Sequence, residues 1–225
     1  MEMHTAGSLQ DGKRVWGLAK VKDDFTINGT DRVDSYLLLT NPHMYGRAVD
    51  IRFTPIRVVC NNTLTLSLAQ KGDYQVSLNH KKAFDVQEAK ELLGVAKGKM
   101  ETYKDMATFL SSKRYTPETL RTYYSTVFAN QNPKVKGIGF NPADTVDFEK
   151  YGSKNAKLAM EVTNTQPGAS LGEGSFWQAF NAVTYLTDHQ LGREADSRLN
   201  SAWYGDIKVK KAKALETALE FAQAA

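Results

Sequence analysis

Arg52-Phe53-Thr54-Pro55-Ile56-Arg57-Val58-Val59-Cys60-Asn61-Asn62-Thr63-Leu64 lies where a run of alternating residues gives way to a less regular pattern. Just upstream, Ala48 to Phe53 puts Val49, Ile51 and Phe53 on one side of an extended chain and Asp50 and Arg52 on the other. That period of two marks a strand with one buried face. Within the stretch, Thr54 can cap a helix and Pro55 is pre-organised for its first position. A helix would gather Ile56, Val59, Cys60 and Leu64 on a face that packs against the sheet. The competing reading is a hairpin, because Val58-Val59 is β-branched, Asn61-Asn62 can turn, and Leu64, Leu66 and Leu68 alternate with Thr65 and Ser67. The helix is the preferred reading.

Two further strands precede this segment. Arg14 to Val21 alternates apolar with polar or small residues after the turn pair Asp11-Gly12, and Ser35 to Thr40 is more continuously apolar, as in a central strand. Three strands in succession predict an antiparallel meander. After them, Val86, Ala89, Leu93, Ala96, Met100, Tyr103, Ala107 and Leu110 recur three and four residues apart. The spacing predicts one long helix from Asp85 to Ser112, its seam covering the sheet or a neighbouring helix. Thr116-Pro117 opens another helix, through Phe128.

Residues 131–174 read as an irregular connection. Ser175 with Gln178 forms a capping-box pattern at the start of a helix through His189. A second helix starts near Arg193 and stops at Gly205, and a third, from Asp206, carries Val209, Ala212, Leu215 and Leu219 as its stripe. The fold class is therefore α+β: a small antiparallel sheet of three or more strands in the first third, then a helix-rich C-terminal part. The organisation is a β-β-β-α core with a long helix over 1–130, the connection over 131–174, and a helical part over 175–225.

Composition removes several classes of function. Cys60 is the single cysteine, which excludes an internal disulfide and a thiolate zinc site, and four scattered histidines give no metal-ligand spacing. No cofactor or metal is expected. No apolar run approaches the length of a membrane span, and Met1-Glu2-Met3-His4 lacks the features of a signal peptide, so the cytoplasm is the expected compartment. Asn28-Gly29-Thr30 and Asn61-Asn62-Thr63 match a glycosylation pattern and are read as structural. Lys and Arg total 29 against 25 Asp and Glu, a mild excess that suits a polyanion without requiring one.

Asp31, Asp34, His43 and Asp50 are the residues from which a metal-dependent nuclease site could be built, although Asp31 and Asp34 read more simply as solvated loop residues. Cys60 beside Arg57 is either an activated thiol or, more simply, a small buried side chain. Lys13, Arg14, Trp16, Lys20 and Lys22 occupy the first strand, and Tyr45, Arg47, Arg52 and Arg57 flank or occupy the third. Basic side chains neutralise phosphates, and Trp16, Tyr36 and Tyr45 offer faces on which unpaired bases stack. In the alternative reading Trp16 is core, the lysines are a solvated edge, and Arg52 pairs with Asp50.

Several stretches carry a family resemblance: Thr5 to Leu9 leading to Gly12-Lys13-Arg14-Val15-Trp16, then Tyr36 to Asn41 with His43, then Phe53 to Leu64. Trp177, Asn181 to Thr184, Asp188-His189 and Ser201-Ala202-Trp203-Tyr204-Gly205 with the Lys-rich helix continue the series. In order and spacing the chain resembles the phage/plasmid-like protein family, domain of unknown function 932. Family members usually carry further residues ahead of the matching region, so residue 1 is expected to fall inside the family domain. Three strands and a helix are also similar in outline to single-strand annealing proteins, which form rings or filaments on DNA. That similarity implies single-stranded DNA binding or annealing in recombination or replication, without enzymatic activity, by a homo-oligomer. The alternatives are a non-enzymatic interaction protein that modulates host or mobile-element functions, and a metal-dependent nuclease.

Overall fold

The structure, a computed structural model, describes residues 2–60, 62–63, 75–78, 86–129, 147–192 and 194–225, with the backbone alone for 23, 75–78, 86–93 and 95–97. Among the described residues, its first part is a six-stranded antiparallel sheet. The long strands are β1 (Glu2–Leu9), β2 (Arg14–Ile27), β3 (Asp31–Pro42) and β4 (Val49–Arg57), and the short ones are β5 (Asn62–Thr63) and β6 (Gln75–Leu78). β1 to β5 follow chain order, and β6 pairs with β4 beside β5. Asn28 and Gly29 both take positive φ in the tight β2–β3 turn. Their short or absent side chains tolerate that region.

The expected meander is present and larger than its three predicted members. β1 went unread because its residues are mostly small or polar and exposed, so no alternation marks it. The preferred helix at Thr54 does not form. β4 continues through Pro55 to Arg57, with an unbroken register against β3 from Thr40↔Asp50 to Val33↔Arg57. Local capping signals lose to this long cross-strand ladder. Proline is tolerated in strands where a donor is not needed, and Pro55 lies in the gap between the part of β4 paired with β6 and the part paired with β5. The hairpin reading is nearer, with a turn at Val58–Cys60 and Asn62 already in β5. The Leu64, Leu66 and Leu68 alternation and Gly137 to Pro142 lie outside the described residues.

Among the described residues, seven helices follow: α1 (Val86–Ser112), α2 (Pro117–Val127), α3 (Phe148–Tyr151), α4 (Lys154–Val162), α5 (Phe176–Tyr185), α6 (Ala195–Tyr204) and α7 (Asp206–Ala224). The described half of the α1 seam is buried, at Met100, Tyr103, Ala107 and Leu110. It joins Val33, Leu37, Ile51 and Phe53 of the sheet and the inner faces of α2, α4, α5 and α7 in one core cluster. Ser175 accepts a hydrogen bond from the Gln178 N–H, as the capping pattern predicts. The Gln178 side chain instead accepts from Gly174 N–H and the Tyr115 hydroxyl, so the reciprocal half of the box is not formed. A π-helical turn, Leu186–Gln190, extends α5.

The α7 stripe is rotated from its expected position. Val209 is 68% exposed, and the buried face runs through Lys211, Ala214, Leu215, Ala218, Phe221 and Ala222. Lys211 is drawn inward by Asp188, at 2.8 Å, which turns the helix face. Among the described residues, no helix is long and apolar enough to cross a membrane.

Gly168 occupies a position that demands glycine. Its φ is +73°, and an added Cβ would lie 2.6 Å from Val59 Cγ1 and 3.0 Å from Arg57 Nη2. Gly168→Ala is expected to destabilise the protein by about 1–3 kcal/mol, from backbone strain and this overlap. Urea denaturation checks it, and an unchanged midpoint contradicts it.

Candidate nucleic-acid interface

The two faces of the sheet are covered unequally. Residues that alternate with the core positions form a second, smaller cluster of Leu9, Leu18, Tyr36 and Leu38 with Ala202 and Trp203 of α6. Cross-strand register aligns Trp16 with Thr40, and Thr40 with Asp50, on this outer face. Trp16 packs edge-on against Trp203, with ring centroids 4.9 Å apart. The apolar half of α6 thus seats the helix on the sheet, and its C-terminal residue Tyr204 lands over the polar end.

At that end the charges converge. The Tyr204 hydroxyl and Thr40 Oγ1 share a 2.5 Å hydrogen bond. Over the Tyr204 ring lie the guanidinium carbons of Arg14, 3.9 Å from its centre, and Arg52, at 4.9 Å. Cation–π contacts of this kind contribute about 0.5–2 kcal/mol each. Arg14 donates to Asn200 Oδ1. Arg52 donates to both oxygens of Asp50, at 2.8 and 3.2 Å, and to the Trp203 carbonyl at 2.9 Å. Burial pushes the Tyr204 phenol up to about 12. Burial, reinforced by Arg52 and opposed by Asp50, lowers the Lys208 amine to about 8. Burial also lowers Arg14, with Arg52 and Arg47 among the repelling charges.

A rim of loops adjoins this cluster. His43 N–H donates to the Lys13 carbonyl at 2.8 Å, which ties the β1–β2 turn to the β3–β4 loop. Lys13 and Arg47 are exposed there, and Tyr45 projects fully into solvent. The structure therefore brings Lys13, Arg14, Tyr45, Arg47 and Arg52 to one end of the sheet, with Trp16 half-buried beneath them.

Three predicted residues are elsewhere. Lys20 lies farther along β2 and pairs with Asp34 at 2.5 Å, and Lys22 is exposed beyond it. Burial opposes ionisation of Asp34, but hydrogen bonds from Lys20 and Arg32 outweigh it and hold the carboxyl below its usual range. Arg57 points to the opposite face and is buried. It contacts Asp31 at 2.7–2.8 Å and donates to the Gly168 carbonyl at 2.9 Å. Asp31 also accepts from Trp177 Nε1 at 2.8 Å.

Asp31 and Asp34 are thus buried strand residues with cationic partners, and the expectation of solvated loop positions is corrected. Both were misplaced because β3 begins four residues earlier than its apolar run. Asp31 lies on the core side, away from Asp34 and Asp50, and no three metal-ligating side chains cluster among the described residues. Cys60 is buried, and desolvation raises its thiol despite the nearby Arg57.

A further polar network holds β5. Asn62 donates to Thr184 Oγ1 at 2.7 Å and meets His189 Nε2 at 3.2 Å, while Thr63 and Lys211 converge on Asp188. Apart from Lys211 of α7, its members come from the Asn62-Thr63, Asn181 to Thr184 and Asp188-His189 stretches. Asn200, Tyr204 and Lys208 were not singled out by residue-level reasoning. The signal available for them was Trp203-Tyr204-Gly205 followed by a lysine-rich helix start.

Comparison with known proteins adds the family and nothing finer. No curated protein and no solved structure matches the chain. A family model described as a domain of unknown function matches residues 1–203, the whole sheet and every helix through most of α6, and the chain belongs to that family, DUF932.

Proposed function

We propose that this chain is a non-enzymatic nucleic-acid-binding protein that engages single strands and promotes their annealing, as a homo-oligomer, in recombination or replication of a phage or plasmid. The observation that carries the reading is the convergence of Arg14 and Arg52 on Tyr204, with the Lys208 amine within electrostatic reach of Arg52 and the exposed Lys13, Tyr45 and Arg47 on the adjoining rim. Guanidinium groups suit phosphates, and an exposed tyrosine offers a stacking face that any unpaired base can use. A duplex keeps those faces occupied. Single strands are thus the favoured form.

Fluorescence anisotropy with a labelled oligonucleotide at two salt concentrations tests this. Binding is expected to weaken with salt, and Lys13→Ala or Arg47→Ala should each lower the log–log salt slope by about 0.7, one released counterion on a single strand. Tyr45→Ala should cost about 1–3 kcal/mol for one lost stacked base. No binding at low salt removes the proposal.

A further inference from the structure

The aromatic and cationic groups at the end of the outer sheet face are taken up by α6. Trp16 meets the ring of Trp203, and both guanidiniums, of Arg14 and Arg52, lie over the ring of Tyr204. Arg14 donates to Asn200 Oδ1, Arg52 donates to the Trp203 carbonyl at 2.9 Å, and the Gln10 N–H donates to Asp196 Oδ2 at 3.1 Å. The helix thus gives the sheet what an unpaired strand would give it. Two consecutive rings stand in for bases, and the oxygens of Asp196, Asn200 and the Trp203 carbonyl stand in for phosphate oxygens.

This cover is weakly fastened. Of the ten residues of α6, only Ala202 and Trp203 are buried, and they belong to the smaller cluster rather than to the main core. No side chain caps the helix at Glu194, and Gly192, with φ at +86°, lies just ahead of it. The indole N–H groups of the two touching tryptophans are buried without an acceptor among the described residues, and so is the Thr54 hydroxyl of the same sheet face. A buried polar group left unpaired favours any state that offers it water or a ligand atom.

We propose that the sheet face beneath α6, with Trp16 as stacking platform and Arg14 and Arg52 as phosphate contacts, is the surface that takes a single strand, and that α6 is the displaceable cover the strand replaces. This rests on the nucleic-acid reading. Arg14 of β2 and Arg52 of β4 stand on either side of β3, so a chain laid across the sheet meets both with separate phosphates. The nearby carboxylates Asp24, Asp34 and Asp50 are already paired, with Arg32, Lys20 and Arg52. Covered and open forms compete, so the affinity of the unaltered chain is scaled by the fraction that is open.

Hydrogen exchange of the unaltered chain, with and without a thymidine oligonucleotide of about twelve residues, reads the cover. At saturation the α6 amides are expected to exchange roughly tenfold faster, while those of α5 keep their protection. Fluorescence anisotropy reads the surface. Trp203→Ala, which loosens α6 and leaves the sheet face intact, should tighten binding roughly three- to tenfold. Trp16→Ala, which loosens α6 and also removes the platform, should bind roughly tenfold more weakly than Trp203→Ala. Equal affinities of the two variants overturn Trp16 as the platform. Amides of α6 that stay protected in the complex, or a folded Trp203→Ala chain that binds no more tightly, overturn the cover and leave strand binding standing. Should Trp203→Ala not fold, the exchange measurement on the unaltered chain decides alone. No binding by the unaltered chain or by Trp203→Ala overturns the nucleic-acid reading and this inference with it.

Discussion

Replacing Arg57 with alanine is expected to destabilise the protein by about 3–5 kcal/mol, the range seen when one partner of a buried ion pair is removed. Arg57 and Asp31 are both buried, 2.7 Å apart at their closest, and Arg57 also reaches the carbonyls of Pro167 and Gly168. The substitution therefore leaves a buried carboxylate whose remaining described hydrogen bond comes from Trp177, and it unfastens the segment before the short 3-10 turn Ala169–Gly172 from the end of β4. Urea denaturation reads the loss. A loss below about 1 kcal/mol would show that the pair contributes little beyond a hydrophobic substitute. The double variant Arg57→Met with Asp31→Leu, which strands no charge, should be milder than Arg57→Ala.

Asp188→Ala is expected to cost a similar 3–5 kcal/mol. Asp188 accepts from Lys211 at 2.8 Å through one oxygen, and from the Thr63 N–H at 2.8 Å and hydroxyl at 3.1 Å through the other. Lys211 is buried, and desolvation already lowers its amine, with Asp188 opposing that shift. Removing the carboxylate leaves the ammonium with only oxygens of Thr63 among the described residues. Its depression deepens, and the unfolded chain then holds more protons up to about 10.4, the free lysine value. The variant should therefore recover stability as pH rises above neutrality. Thermal unfolding of the variant and of the unaltered chain at pH 5, 7 and 9 would display that recovery. Parallel profiles would show that the stranded charge is not what destabilises the variant.

The period-two pattern located β2 and the first half of β4, and a more continuously apolar run located β3, because each has one face in the core cluster and the other face polar or under α6. It failed at Thr54-Pro55. Capping chemistry is a property of a few neighbouring residues, whereas the extension of β4 to Arg57 depends on β3 having long paired residues to offer. The Val209 stripe failed for a related reason: hydropathy ranks Lys211 as an outward residue, and only a carboxylate delivered by the distant π-helical turn draws it inward. At the candidate interface, residue type identified Lys13, Arg14, Tyr45, Arg47 and Arg52, which the turns and register bring together. It misplaced Arg57, since residues 52 and 57 differ by an odd number and so face opposite sides of one strand. Tyr204 joins the cluster only through the packing of α6, which no local pattern encodes, and Lys208 follows at the start of α7.

The placement of the three tryptophans gives the molecule its own optical reporters. Trp16 and Trp203 touch one another beside the Arg14–Tyr204–Arg52 cluster, while Trp177 is buried on the other side of the sheet, hydrogen-bonded to Asp31. Emission from the first pair would sense a ligand bound, as proposed, at the cationic end, and emission from Trp177 senses the integrity of the core. A chain retaining Trp16 and Trp203, and another retaining Trp177 alone, would thus separate ligand capture from unfolding without any attached dye.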